Sequence, residues 1–399
     1  MWEVADIIRA HGEDYRQARG GRLTSAEEYV LRSLAACRTA LLGGHLEECE
    51  ECGQRRPAYN SCCNRHCPKC QAAARAEWLD AQRAKLLPVP YFHVVFTIPD
   101  HLSPLALQNK EVLYDLLFRA AAETLQEVAA RPKHLGAEIG FLAVLHTWGQ
   151  NLLHHPHLHC VVPGGGLSPD GSHWIACRRE DFLLPVKVLS AVFRGKFLDH
   201  LKRAFVENKL CFHGRLAEVG KPEAFQRFLS ACYGRKWVVY AKPPFGGPEQ
   251  VLKYLARYTH RVAISNQRLI SLEDGQVTFR WKNYAQGNQQ QTMTLAAVEF
   301  LRRFILHLLP SHFVRIRHYG FLANRHRAEK LARCRELLGV RMSEAPAEPA
   351  NDSAVNGELK EEHDSKRCLA CGGRTRMVEH WPRPSGRQLL EPPWPWDTS

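Results

Sequence analysis

No run in the 399 residues approaches the roughly 18 to 20 apolar positions that a bilayer crossing needs. Met1–Arg9 (MWEVADIIR) lacks the basic start and apolar stretch of an export signal, so the chain is expected to be soluble and to stay where it is made. A GxxxxGK[ST] sequence is also missing, which removes the usual signature of a nucleoside-triphosphate engine. No internal repeat is evident. Strands and helices follow one another without regular βαβ alternation, which leaves α+β as the fold class. Negative charge is scarce: 54 Lys and Arg face 41 Asp and Glu, a formal net charge of +13.

The hydrophobic fraction of 45% and aromatic fraction of 9% suffice for a large core and exclude a disordered or fibrous chain. The length argues for two or three modules. Seven acidic residues and one lysine fall in Ser343–Ser365 (SEAPAEPANDSAVNGELKEEHDS), which leaves about +19 on the rest of the chain. A basic body with an acidic tether fits a polyanionic partner, although a basic surface also serves solubility alone.

Residues 1–87 read as a helical and cysteine-rich module. LTSAEEYVLRSLAACRTALLGG offers Thr24 or Ser25 as an N-cap, and Gly43–Gly44 as a stop. Residues 88–342 form the main domain. Tyr91–Ile98 reads as a buried strand, Leu105–Val128 as helix, and Gly140–Trp148 and His155–Gly166 as two strands joined by a short connection. Helix is expected again over Val188–Phe205, Glu249–Tyr258 and AAVEFLRRFILHLL, with strands around the Asp274–Gly275 turn. Residues 343–366 are poor in apolar side chains and read as a disordered linker. Residues 367–399 form a small tail.

Seven of the fourteen cysteines crowd into Cys37–Cys70, which points to a reducing compartment and metal binding. C-E-E-C at Cys49 and Cys52 and C-P-K-C at Cys67 and Cys70 have the spacing of two knuckles closing on one structural zinc. Cys62, Cys63, His66 and His45 are surplus: they make a second site or replace one of the four. In the tail, Cys368 and Cys371 form a further knuckle, which His363 or His380 completes or which is a relic. A closed four-ligand site has no open position for a substrate, so this module serves folding and contact.

Two other constellations carry chemistry. In HHPHLHC, alternation along a strand puts His157 and His159 on one face while Leu158 packs behind. His146 lies on the preceding strand, where hairpin pairing would bring it alongside, and buried imidazoles in an apolar sheet call for a partner such as a metal. Tyr254 and Tyr258 stand four residues apart, on one face of the expected helix. By itself such a pair reads as two amphipathic rings with wet tips. The cationic surround of Lys253, Arg257, His260 and Arg261 favours a phenolate nucleophile instead. Finally, FVRIRHYGFLANRHR interleaves Phe313, Tyr319 and Phe321 with Arg315, Arg317, Arg325 and Arg327. This suits either a stacking platform for single-stranded DNA or an amphipathic strand with a basic outer side.

Together NRHCPKCQ, HPHLHC, YLARYTHRVAISN and FVRIRHYGFLANRHR resemble the rolling-circle transposases of bacterial insertion sequences (family ninety-one and its common-region relatives), members of the HUH single-strand endonucleases. The resemblance spans about residues 34–327. It implies a central antiparallel sheet flanked by helices, with His157 and His159 as the HUH metal ligands. It also implies Tyr254 and Tyr258 as the catalytic tyrosines, and His146 as third ligand by analogy to the three-histidine relaxases, with His154 or His260 next in line. A catalytic Mg2+ or Mn2+, a structural Zn2+, a 5′-phosphotyrosine intermediate and single-stranded DNA at element ends and target follow from the same resemblance. So do a bacterial cytoplasmic, nucleoid-associated setting and DNA contacts from Lys253, Arg257, Arg261, Arg315, Arg317, Tyr319, Arg325 and Arg327. Two rival readings use fewer of these motifs: a non-catalytic zinc-ribbon DNA-binding regulator, and a metal-dependent phosphoesterase without a covalent intermediate.

Overall fold

The computed structural model describes residues 1–71, 82–83, 85–179, 181–245, 250–251, 262–283, 286–287, 289–339 and 367–383. The chain divides into two compact units, one formed by residues 2–71 with 344–399 and the other by 72–343 with Met1. The expected linker, 343–366, lies outside the described residues. Among the described residues no helix is long and apolar enough to cross a membrane.

In the first unit, α1 (Val4–Ala18) and α2 (Ser25–Ala35) bury Val4, Ile7, Ile8, Tyr15, Val30, Leu31 and Leu34. Thr24 caps α2 as expected: its side chain accepts from the Glu27 N–H, and the Glu27 carboxylate accepts from the Thr24 N–H at 2.7 Å, a reciprocal capping box. Strands β1 (Gly44–Cys49) and β2 (Arg55–Tyr59) follow. The third strand of this sheet comes from the far end of the chain: β13 (Thr375–Trp381) pairs antiparallel with β1, giving the order β13-β1-β2. The small tail expected over 367–399, where it is described (367–383), thus pairs with the N-terminal residues. A one-chain reading missed this because strand pairing across some 320 residues leaves no local pattern.

The second unit is built on a five-stranded antiparallel sheet. Its strands are β3 (Tyr91–Thr97), β4 (Phe141–Trp148), β5 (His154–Pro163), β8 (Val238–Phe245) and β12 (Ile316–Tyr319), in the order β12-β4-β5-β3-β8. A small hairpin, β6 (Gly165–Leu167) and β7 (Trp174–Ala176), extends beyond β5. The short α3 (Ser103–Gln108) leads into α4 (Lys110–Ala130); α5 (Val186–Val206) and α6 (Pro222–Tyr233) follow. Apolar residues of α4 and α5, such as Leu117, Ala121, Phe193 and Phe197, share one core with Phe92, Val94, Phe96, Leu145, Leu158, Cys160 and Val162 of the sheet. Alternation sends the odd-numbered residues of β3 and β5 and the even-numbered residues of β4 to the opposite face. There Tyr91, Leu142, Val144 and Val161 form a second apolar cluster with Leu331 and Cys334 of α8 (Arg327–Leu337).

A separate sheet, β9 (Leu269–Glu273), β10 (Gln276–Asn283) and β11 (Gln289–Ala296), is covered by α7 (Ala297–Leu306) through Phe279 against Phe300. Asp274 and Gly275 both take positive φ, 49° and 69°, as a tight two-residue hairpin turn demands. The sequence reading did not anticipate α6, β8 or α8. Strand β8 (VVYAKPPF) carries two prolines, which an edge strand tolerates and a central strand would not, so its type is hidden without knowledge of its place in the sheet.

Candidate metal centre and cysteine clusters

His157 and His159 sit on β5, the middle strand of the five, and His146 on β4 is the register partner of His157. One nitrogen from each of the three imidazoles lies within 4.8 Å of the others, so a single cation could be shared among them. The ring centroids of His146 and His159 are 4.4 Å apart, and those of His157 and His159 4.9 Å. His146 and His159 are buried, while His157 is half-buried, which leaves the group an open side.

Each ring is oriented from behind. The His157 Nδ1–H donates to the His155 carbonyl at 2.7 Å, since a carbonyl can only accept, and this tautomer puts the lone pair on Nε2. His159 Nδ1 meets His93 Nε2 at 2.8 Å, and His146 stacks on Trp148 at 4.6 Å. Burial, with Lys242 opposite it in the register of β3 and β8, pushes the His93 imidazolium down to a pKa of about 3, so the ring is neutral. A neutral His93 can accept the Nδ1–H of His159 and leave the His159 Nε2 lone pair for a cation. His93 was missed by the sequence reading. The signal that could have found it is its odd-numbered place in YFHVVFTI, which shares a face with His157 and His159 once the strands pair.

His154, next in line as third ligand, is engaged elsewhere: its Nε2 lies 2.8 Å from the Tyr114 hydroxyl. Tyr254, Tyr258, Lys253, Arg257, His260 and Arg261 lie outside the described residues. The chain just before them is described: Gln250 and Val251 are helical, and Val251 is fully buried in the cluster of Tyr91, Leu142, Val144 and Val161 on the histidine face.

The basic aromatic segment departs from the platform expectation. Phe313 and Phe321 are buried in the two cores of the sheet, so neither ring faces a base. Arg317 pairs with Asp115 and lies over the rings of Phe118 at 4.2 Å and Phe313 at 5.1 Å. Tyr319 stacks on Phe141 at 5.0 Å, and burial pushes its phenol up to about 12. Arg315 is half-buried. Arg327 donates to the Asn324 side chain at 2.8 Å, and Arg325 is exposed. The amphipathic alternative describes this segment better.

The cysteines do not assemble as Cys49, Cys52, Cys67 and Cys70. Two foursomes form instead, Cys37 with Cys62, Cys67 and Cys70, and Cys49 with Cys52, Cys368 and Cys371. In the first, Sγ–Sγ distances of 3.5 to 3.6 Å match the edge of a zinc tetrahedron, about 3.8 Å for Zn–S bonds of about 2.3 Å, and are far too long for a disulfide. Sharing hydrogen bonds with Cys37, Cys62 and Cys67 holds the Cys70 thiol well below its ordinary value. Cys62, one of the surplus candidates, and Cys37 thus take the places expected for Cys49 and Cys52. Cys37 was not proposed as a ligand, because it follows directly on α2 and reads there as one more buried helical residue. Cys63 is exposed beside Ser61, and His45 is taken by the buried Glu47 at 3.2 Å. His66 belongs to neither foursome.

Residues 7–98 match the family described as "Transposase zinc-binding domain", and residues 140–330 the family described as "Putative transposase". The chain is 55% identical, over its whole length and 98% of the relative, to "Putative transposase y4qJ" of Sinorhizobium fredii. It is 30% identical, over 89% of its length and 84% of the relative, to "Transposase for insertion sequence element IS801" of Pseudomonas savastanoi pv. phaseolicola. Among solved structures, the metal-free conjugative relaxase TrwC in complex with oriT DNA aligns over 62% of this chain and 73% of its own, at 15% identity and a TM-score of 0.24, a likeness too slight to bear on the assignment. On the two sequence relatives and the two matched domains, the chain belongs to the IS91 family of insertion-sequence transposases.

Proposed function

We propose that this transposase cuts and rejoins single-stranded DNA by tyrosine transesterification, in a rolling-circle mode, with Mg2+ or Mn2+ held by His146, His157 and His159. The observation that carries the reading is the triad of imidazoles whose nitrogens lie within 4.8 Å of one another on the middle of the sheet. When bound, a divalent cation there supplies charge that offsets the developing negative charge of the scissile phosphate. Imidazole favours softer ions than Mg2+, so Mn2+ should serve at least as well.

The chain's own residues do the rest. The Oη of Tyr254 or Tyr258 attacks phosphorus and the P–O3′ bond breaks. The departing oxygen takes up a proton to become a free 3′-hydroxyl, and the 5′ end stays on the tyrosine. The new ester keeps the energy of the old one, so a later attack by a 3′-hydroxyl reseals DNA and frees the tyrosine without ATP. Two tyrosines allow one such step on the donor and one on the target. The sequence pattern expects the two tyrosines, four residues apart, on one helix face, where both hydroxyls address the same place. Cys37, Cys62, Cys67 and Cys70 hold a structural zinc within the matched zinc-binding domain.

The test is paired. Full-length protein is titrated with Mn2+ by calorimetry, and its cleavage of single-stranded DNA taken from the flanks of its gene is followed. Loss of both binding and cleavage in His157→Ala and His159→Ala, with far-ultraviolet circular dichroism unchanged, is the expected result; cleavage at the normal rate by either variant would overturn the assignment.

A further inference from the structure

We propose that Cys49, Cys52, Cys368 and Cys371 bind a second structural zinc, which fastens the C-terminal strand β13 to the N-terminal unit. The matched zinc-binding domain stops at residue 98 and so contains only half of these ligands. All four Sγ atoms lie within 4.8 Å of one another, with Cys49–Cys371 at 3.4 Å and Cys52–Cys368 at 3.7 Å. These are the spacings of thiolates around one tetrahedral ion and are well beyond a bonded S–S pair of about 2.05 Å.

The two halves are built alike. Each reads C-x-x-C-G, CEECG at 49–53 and CLACG at 368–372, and in each the glycine takes positive φ, 69° at Gly53 and 78° at Gly372. The Gly53 N–H donates to the Cys49 carbonyl at 3.0 Å, and the Gly372 N–H to the Cys368 carbonyl at 2.9 Å. The Cys49 N–H in turn donates to the Gln54 carbonyl at 2.9 Å and the Cys368 N–H to that of Gly373 at 2.7 Å. Two segments more than 300 positions apart thus adopt one turn, which points the paired thiols of each at those of the other. A relic knuckle would have no reason to keep a matching partner.

The tail also has a prepared seat. A Cβ on Gly43 would stand 2.5 Å from the Trp381 carbonyl oxygen, and Gly43 has φ of 70°, so only glycine lets the two backbones approach. At the other end of β1, Glu48 pairs with Arg376 at 3.0 Å and with Arg55 at 2.7 Å, one carboxylate bridging all three strands. Yet most side chains of β13 are exposed, so apolar burial holds the strand weakly and a metal clasp is the strong fastening.

The test counts metal. Full-length protein is purified with a thiol reductant and dialysed against EGTA, which strips weakly held cations from histidine sites, and zinc per chain is measured by elemental analysis. Wild type should retain two zinc ions per chain and Cys368→Ser/Cys371→Ser one, with trypsin releasing the tail at least tenfold faster from the variant. Retention of two by the variant would overturn the proposal. So would retention of only one by wild type, a result that does not depend on the variant folding.

Discussion

The two units hold their metal-site residues by opposite means. In the sheet unit the three histidines are near neighbours in sequence, set by a single hairpin register on one face of a sheet that has an apolar core on each side. In the cysteine unit the sulfurs come from separate segments, and the sheet whose ends and turns hold half of them has largely exposed outer strands. A site held by an apolar scaffold survives without its metal. A site that itself supplies the cross-links does not. On the proposed reading, metal in the sheet unit would serve chemistry and metal in the cysteine unit would serve folding.

Substitutions that separate chemistry from folding put this contrast at risk. The largest effect falls on His157→Ala and His159→Ala, which should each lower single-strand cleavage by about a hundredfold or more while thermal unfolding stays within a few degrees of wild type. A matching collapse of the fold would erase the contrast. Next, Cys62→Ser should cost the first zinc and much of the unit's stability, whereas Cys63→Ser, exposed and outside both foursomes, should change stability by about 0.5 kcal/mol or less in denaturant titration. Equal behaviour of the two would mean the foursome is wrongly drawn.

His93→Gln sharpens the boundary between ligand and support. It should weaken Mn2+ affinity by about 10- to 100-fold, with a smaller change in the cleavage rate at saturating Mn2+. Unchanged affinity would remove His93 from the orientation of His159. The smallest effect is reserved for Arg317→Ala: it should cost about 1 kcal/mol of stability through its lost stacking on Phe118 and Phe313, and alter single-stranded DNA affinity little. A large loss of DNA binding at unchanged stability would restore Arg317 to the DNA surface.

How much was legible in the sequence follows the same division. His146, His157 and His159 could be read because strand alternation and hairpin pairing are local rules, and β4 and β5 obey them. The two-residue turn at Asp274–Gly275 and the Thr24 cap were readable for the same reason. Cys49 and Cys52 fall in one foursome and Cys67 and Cys70 in the other, so each short spacing kept its pair together, but which pair faces which depends on β13 returning to β1, and spacing says nothing of that. Phe313 and Phe321 left two readings open because aromatic residues beside arginines look alike whether the rings stack on bases or fill a core. Only the packing of β12 and its flanks decides between them.

The central claim is that tyrosine, not water, attacks the phosphate beside the histidine site. It is tested most directly by incubating the protein with single-stranded DNA and Mn2+, digesting both, and mapping by mass spectrometry any peptide joined to a DNA 5′-phosphate. The account predicts adducts on Tyr254 or Tyr258 and none in the Tyr254→Phe/Tyr258→Phe double variant. Strand cleavage that proceeds with no adduct, or an adduct on another residue in the double variant, would contradict it.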